Sequence, residues 1–242
     1  MKNSNKWLLA ALLVLLTSLT AYNMALRTEY RKGTYQDPLR DYITLNFKNF
    51  TAVAVPSANI LSVRIVPGPF GVRVHPAAAS FVHLKQKGKQ LIISAVFPQD
   101  REYTRFSEAV VVSCPRLAAL STDGVYTLSG KLQIDSVFTE GRPIRVQGFR
   151  QDSLMLYSDR ASRIQLTGNN LGYLRAVAGP GFGSGSSLKI DKNNHIQSAD
   201  LDIRQHSELV LDKVAIPGLR YHLADSARIT LSGAALSSLV RK

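Results

Sequence analysis

Beyond residue 26 the apolar positions of this chain recur at every second residue, and no window carries a sustained i, i+3, i+4, i+7 stripe. The runs Tyr42–Phe47, Phe50–Val55, Ile60–Val66, Phe81–Leu84, Leu91–Val96 and Ala109–Val112 are each closed by Pro, Gly, Asn or Lys-Gly turn chemistry. That is the pattern of short strands. Ahead of them, residues 7–26 contain no charge. Twenty residues rising ~1.5 Å each reach the ~30 Å of a bilayer core, so this stretch predicts one apolar helix.

The second half repeats. An apolar-x-apolar pair occurs six times, at Tyr126/Leu128, Ile144/Val146, Ile164/Leu166, Leu188/Ile190, Leu209/Leu211 and Ile229/Leu231, with first members 18, 20, 24, 21 and 20 residues apart. Two positions before each pair stand Gly124, Arg142, Ser162, Ser186, Ser207 and Ala227, all small except Arg142. Just after the pairs come Ser129-Gly130, Gln147-Gly148, Thr167-Gly168, Asp191-Lys192, Asp212-Lys213 and Ser232-Gly233. A second apolar pair lies within most units: Leu132/Ile134, Leu154/Leu156, Leu201/Ile203 and Tyr221/Leu223, with Leu174/Ala176 a weaker fifth. A period near twenty with two short strands per unit is the signature of a β-solenoid. One unit offers about four inward side chains at ~1.5–3 kcal/mol each, far less than the entropy of ordering twenty residues, so units must stack to fold.

The predicted fold class is therefore all-β: a parallel β-helix-like solenoid of about six 18–24-residue coils, preceded by a strand-rich N-terminal part and one N-terminal hydrophobic helix. A conventional sandwich of antiparallel strands is the alternative. The expected division is 1–26 for the signal anchor or signal peptide and 27–41 for a polar stalk holding Gly33 and Pro38. Residues 42–115 follow as the N-terminal β-rich part, and 116–242 as the repeats. Lys2 and Lys6 precede the apolar run, while Arg27, Arg31 and Lys32 follow it. Neither Leu19-Thr20-Ala21 nor Asn23-Met24-Ala25 makes a clean small-x-small cleavage site, which favours an uncleaved anchor over a cleaved signal. The bulk of the chain is then expected outside the cytoplasm, membrane-anchored, or secreted if the segment is cleaved. The C-terminal Leu236–Lys242 is at most a short cap on the last coil, which leaves room for homo-oligomers through that end.

Composition adds charge to this picture. Over 242 residues, 30 Lys+Arg against 17 Asp+Glu give +13. An excess of that size speaks of anionic partners. No nucleic-acid recognition motif or basic-aromatic platform accompanies it, so nucleic acid is not expected. Anionic envelope glycans or lipid head groups are the partners that suit an extracytoplasmic basic domain. Lys85, Lys87 and Lys89 alternate around Gly88, a pattern that also serves to block an edge strand.

Catalytic chemistry is sparse. His75, His83, His195, His206 and His222 form no HExxH and no tight pair, so neither a metal nor a cofactor is expected. The lone Cys114 excludes an internal disulfide and reads as a buried strand residue. Gly179-Pro180-Gly181-Phe182-Gly183-Ser184-Gly185 has no following Lys-Ser/Thr and precedes no helix, so it is a loop and not a phosphate cradle. Asp200-Leu201-Asp202-Ile203 places two carboxylates on one face of a strand. Paired acids serve glycoside cleavage, and Asp200 and Asp202 are the candidate pair if the chain is an enzyme. Alternation alone also puts polar residues at those two positions.

From about residue 47 onward the layout resembles a bacterial family of auto-transporter adhesins with a head GIN domain, common in Bacteroidetes. The resemblance is carried by Phe47-x-x-Phe50, Ile60-Leu61-Ser62-Val63-Arg64-Ile65 and Gly88-x-x-Leu91-Ile92-Ile93. It continues through Ala109–Pro115 with Leu117 and Leu120, into the ladder that ends Ala227-Arg228-Ile229-Thr230-Leu231-Ser232-Gly233. A recognisable Gly-Ile-Asn triplet is missing. The resemblance implies an exported β-solenoid without enzymatic activity. The expected role is thus a non-catalytic envelope protein that binds or organises anionic material. The alternative is a β-helix enzyme, a lyase or hydrolase, degrading polysaccharide.

Overall fold

The computed structural model describes residues 3–33, 37–98, 108–137 and 143–236. Two units emerge, Met1–Tyr42 and Ile43–Lys242. In the first, helix α1 spans Asn3–Lys32 and so extends beyond the uncharged run into Arg27 and Arg31. It is the one helix among the described residues long and apolar enough to cross a membrane, a test that a signal segment also passes.

The second unit holds nineteen strands among the described residues, β1 to β19 in chain order, in two sheets. The nine-stranded sheet runs β1 (Ile43–Leu45), β4 (Gly71–Val74), β7 (Val110–Cys114), β3 (Val63–Pro67), β11 (Ile144–Gln147), β13 (Arg163–Thr167), β15 (Ser187–Ile190), β17 (Glu208–Asp212), β19 (Arg228–Ser232). The ten-stranded sheet runs β10 (Lys131–Ile134), β9 (Val125–Leu128), β6 (Gln90–Phe97), β2 (Ala52–Val55), β8 (Ala119–Thr122), β12 (Arg150–Ser158), β14 (Asn170–Ala178), β16 (His195–Ile203), β18 (Gly218–Leu223), with β5 (Val82–Lys87) beside β6. From β11 to β19 the chain enters the two sheets alternately. Pairing is parallel from β3 through β19 in one sheet and from β6 through β18 in the other. The antiparallel pairs expected of a sandwich are confined to β1–β4, β4–β7, β5–β6 and β9–β10.

Alternation decides what faces the core. Leu166, Ile190, Leu211 and Leu231 stand opposite one another across β13, β15, β17 and β19, as do their outward neighbours Gln165, Lys189, Val210 and Thr230. The inward residues of both sheets join one apolar cluster that includes Phe50, Val63, Ile65, Leu154 and Leu201. The row thins at the last strand, where Ile229 and Leu231 are only partly buried.

The corners are built from the turn residues of the repeat. Gly148, Gly168 and Gly233 adopt φ of +80°, +64° and +55°, and Lys213 takes the equivalent position at 54°. This left-handed step costs an L-residue ~1–2 kcal/mol, which is why glycine recurs there. Behind these corners sits a buried asparagine ladder. The Asn169 Oδ1 accepts the Phe149 amide at 3.0 Å, and Asn194 Oδ1 accepts both the Asn169 amide and its Nδ2, each at 3.0 Å. At the opposite corners the small residues before each pair form a hydroxyl ladder. Ser162 Oγ lies 2.9 Å from Thr122 Oγ and 2.8 Å from Ser158 Oγ, and Ser186 Oγ donates to Ser207 Oγ at 3.0 Å. All of these groups are buried, and apart from the Ser158–Ser162 contact within one corner, each finds its partner in another pass of the chain.

Two readings of the repeat need correction. Tyr126/Leu128 and Leu132/Ile134 do not join the stack, because Ser129 and Gly130, both at positive φ, close β9 and β10 into a tight antiparallel hairpin. That hairpin lies at the far edge of the ten-stranded sheet, and its Leu132 and Ile134 are 65% and 53% exposed. The first stacked pair is therefore Ile144/Val146, with Val146 opposite Ile65 of β3. Leu201/Ile203 is also one inward step out of phase, since Leu174 and Ala176 face Ala199 and Leu201. Strands from 42–115 and from 116–242 share both sheets, with β3 beside β11 and β2 beside β8. Arg142 and the C-terminal residues from Ser237 to Lys242, expected to cap the last coil, lie outside the described residues.

This packing sets a ranking of stabilities. Leu211→Ala should cost about 2–5 kcal/mol through lost burial and a cavity. Asn169→Ala should cost about 1–3 kcal/mol by stranding the Phe149 amide and the Val146 carbonyl. The outward change Val210→Thr should stay within about 0.5 kcal/mol. Denaturant midpoints of the three variants check the order, and equal losses at Leu211 and Val210 would contradict the register.

Candidate functional site

Four strands carry a cation between two inward apolar residues: Val63-Arg64-Ile65, Val72-Arg73-Val74, Ile144-Arg145-Val146 and Leu188-Lys189-Ile190. Alternation turns each cation outward. The pairing then aligns them in one row across the nine-stranded sheet, in the order Arg73, Val111, Arg64, Arg145, Gln165, Lys189. At ~4.8 Å per strand the row is ~24 Å long. Val111 points outward like its neighbours yet is only 5% exposed. It lies between Arg73 and Arg64, whose aliphatic stems can cover it while their guanidinium groups reach solvent.

Adjacent like charges on a sheet repel, so the row carries its own counter-ions. The Glu108 carboxylate lies 3.0 Å from Arg64 and 3.8 Å from Arg145, bridging the two central guanidiniums. Lys189 lies 3.3 Å from Asp191 and 3.8 Å from Asp212. Burial pushes the Asp191 carboxyl up, but hydrogen bonds from Gln165 and Thr167 together with the Lys189 charge outweigh it, and the net displacement is downward. Arg64 and Arg145 share the Glu108 carboxylate between them. Guanidinium groups bind carboxylates and phosphates through paired N–H donors, so a linear polyanion laid across the strands meets donors at strand-spacing intervals.

The predicted acidic pair lies on the other sheet. Asp200 and Asp202 both point outward from β16, as alternation requires. Asp200 stands between Arg175 and Arg220 in the neighbouring strands. Asp202 accepts hydrogen bonds from both Arg204 Nε, at 2.9 Å, and Arg204 Nη2, and lies 3.3 Å from His222 Nδ1. The Arg204 hydrogen bonds, assisted by His222, hold the Asp202 carboxyl below its usual range against a smaller desolvation effect. Such a carboxylate suits a fixed anion in a ladder of alternating charge.

The other singled-out residues are placed as follows. His75 accepts the Ala77 amide at 3.2 Å as the cap of a short 3-10 turn. No group of three His, Cys, Asp or Glu suited to share an ion occurs among the described residues. Cys114 is buried, and burial pushes its thiol up to about 12. The glycine-rich loop is stapled from within: the Gly181 amide donates to Asp159 Oδ1 at 3.0 Å, Ser184 and Ser186 are buried, and Phe182 alone stands 98% exposed. Lys85 and Lys87 face outward beside Ile92 and Gln90 of the ten-stranded sheet. The cationic row was not among the expected sites. Its signal was present as the repeated apolar-cation-apolar triplet, but the triplets are too far apart in sequence for spacing alone to align them.

No family model and no curated protein matches the chain. Solved structures that resemble it include a "putative adhesin" from Bacteroides fragilis NCTC 9343, at 13% identity over 79% of this chain and 97% of that one, with a TM-score of 0.41. A "putative adhesin" from Parabacteroides distasonis ATCC 8503 gives 13% identity, 79% and 94% coverage and a TM-score of 0.41. A "putative lipid binding protein" from the same strain gives 10%, 79% and 94%, with a TM-score of 0.29. The functional reading rests on the residues of this chain.

Asp191 and Asp202 also fix the acid response. Their folded values lie below the unfolded ones, so their contribution to stability is full above the ordinary aspartate range and is lost as pH falls through the lowered values. The melting temperature should hold to about pH 5 and drop below about pH 4. Asp202→Asn should flatten part of that drop, and an unchanged pH profile in this variant would contradict the assignment.

Proposed function

We propose that this chain is a non-catalytic cell-envelope protein whose nine-stranded sheet binds an anionic glycan along the Arg73–Arg64–Arg145–Lys189 row. The observation that carries this reading is the alignment of four cations from four separated segments into one outward line. In this reading the body is a β-solenoid, with successive passes of chain stacked as coils. Residues 1–26 anchor it to a membrane, 27–41 connect the anchor to the body, and the body lies outside the cytoplasm. The resemblance to exported adhesins with a head GIN domain fits such a role. Asp202, held as a carboxylate by Arg204 and His222, serves as a structural anion, so no reaction is assigned.

The test is direct binding of polygalacturonate, with neutral dextran as the comparison, to the full chain in nanodiscs. Binding should weaken with salt, because exposed charges are screened within ~10 Å at 0.1 M ionic strength. The double change Arg64→Gln with Arg145→Gln should weaken it at least ~10-fold, the equivalent of ~1.4 kcal/mol. Glu108→Gln should strengthen it by removing the internal counter-ion, a gain that misfolding cannot imitate. Equal binding of dextran, or no response to either change, would overturn the proposal. Competition by anionic vesicles but not by polygalacturonate would move the ligand from glycan to lipid head group. Recovery of the intact chain from the soluble cytosol would remove the proposed address.

A further inference from the structure

The outer face of the ten-stranded sheet carries Arg175, Asp200, Asp202 and Arg220 on β14, β16 and β18, while four consecutive strands beside them form an uncharged trough. Across β6, β2, β8 and β12 the outward residues in register are Ile92, Ala54, Ser121 and Tyr157. One outward step along the same strands stand Gln90, Ala52, Ala119 and Met155. Large side chains thus flank a floor two strands wide made only of alanine and serine. The trough spans three strand spacings, ~14 Å, from wall to wall. It encloses a pocket of about 280 Å³ that Asp123 and Pro56 also line.

The polar groups converge at one end. Asp123 Oδ1 accepts the Gly124 amide at 2.7 Å, and Asp123 Oδ2 accepts Arg160 Nη2 at 2.6 Å. A carboxylate offers about four acceptor positions, so capacity remains after these two bonds. Ser121 and Tyr157 line the same pocket and add two hydroxyl groups to its polar side chains. Arg160 is held in a left-handed backbone conformation, φ 48°, by hydrogen bonds from its amide to Asp159 Oδ1 and Ser184 Oγ. Such a conformation costs ~1 kcal/mol or more and persists where surrounding contacts impose it, and here it aims the guanidinium at Asp123.

We infer that this trough is a binding site for a neutral saccharide unit, separate from the cationic row and independent of it. A pyranose ring has one C–H face and a rim of hydroxyl groups. The C–H face matches the alanine floor and the Tyr157 ring, and the hydroxyls match Asp123, Ser121 and the Tyr157 phenol. Asp123 is paired with Arg160 at 2.6 Å, and the second carboxylate near Arg160, Asp159 at 4.0 Å, does not line the pocket, so the pocket asks for no ligand charge. An acyl chain would strip water from Asp123 and Ser121 without returning hydrogen bonds, which disfavours lipid. The trough also lay beyond sequence reading, because Ala54, Ile92, Ser121 and Tyr157 meet only through pairings between distant segments.

Saturation-transfer NMR and calorimetric titration of the full chain in nanodiscs test this, with cellotriose, chitotriose and maltotriose as probes. At least one should bind with contact to the Tyr157 ring. Tyr157→Ala and the trough-filling Ser121→Trp should each weaken it at least ~10-fold. Tyr173→Ala removes an exposed tyrosine of the same face outside the trough and should change binding by less than about twofold. Ser121 faces outward, so an unchanged circular dichroism spectrum will separate lost binding from lost folding. Absence of binding by all three probes at about 10 mM, well above a ~1 mM Kd, would overturn the inference. So would binding that survives Ser121→Trp, or an equal loss in Tyr173→Ala.

Discussion

The structure depends on one constraint: each pass of the chain must lay its strand beside the previous one, in register, at the hydrogen-bond spacing of a parallel sheet. A single pass buries too few side chains to fold by itself. Once β13, β15, β17 and β19 are in register, Leu166, Ile190 and Leu211 each have an apolar neighbour on both sides, and every outward residue is fixed in a row. A slip of one residue would exchange the two faces entirely. The buried asparagine and hydroxyl ladders guard against such slips, because their partners sit at equivalent corners of neighbouring passes.

Both candidate sites follow from that register and not from any local motif. The nine-stranded sheet lines up Arg73, Arg64, Arg145 and Lys189, with Glu108 tempering the repulsion at the centre. The ten-stranded sheet lines up small residues at Ala54 and Ser121 between Ile92 and Tyr157, and charged residues further along at Asp200, Asp202, Arg220 and His222. One outer face of the unit thus carries a row of cations with their counter-ions, and the other combines a neutral trough with paired charges.

Much of this was legible in the sequence because the relevant signals are local. The period near twenty gave the strands, and the residues before and after each pair gave the corners. The asymmetry of Leu211 and Val210 gave the inward and outward faces. What failed was long-range. Tyr126/Leu128 satisfied the repeat in spacing, but the Ser129-Gly130 turn folds that segment back on itself as a hairpin. The glycine-rich segment read only as a loop, and its contacts with Asp159 and Ser158 come from an earlier corner of the chain. The acidic pair was placed on one face correctly, but its arginine and histidine partners come from the strand end and the next pass. The cationic row and the trough required knowing that β3 adjoins β11 and that β2 adjoins β8, pairings that no periodicity contains.

The register that makes the row can be measured directly. Arg145 and Thr230 are distant in sequence but occupy the same outward row four strand spacings apart. Spin labels on the variant with Arg145→Cys and Thr230→Cys, with the native Cys114 buried and unreactive, report that distance by double electron–electron resonance. The expected result is one narrow distribution near ~20 Å, from four spacings of ~4.8 Å. A broad distribution, or one centred beyond about 35 Å, would mean that these strands do not stack in register.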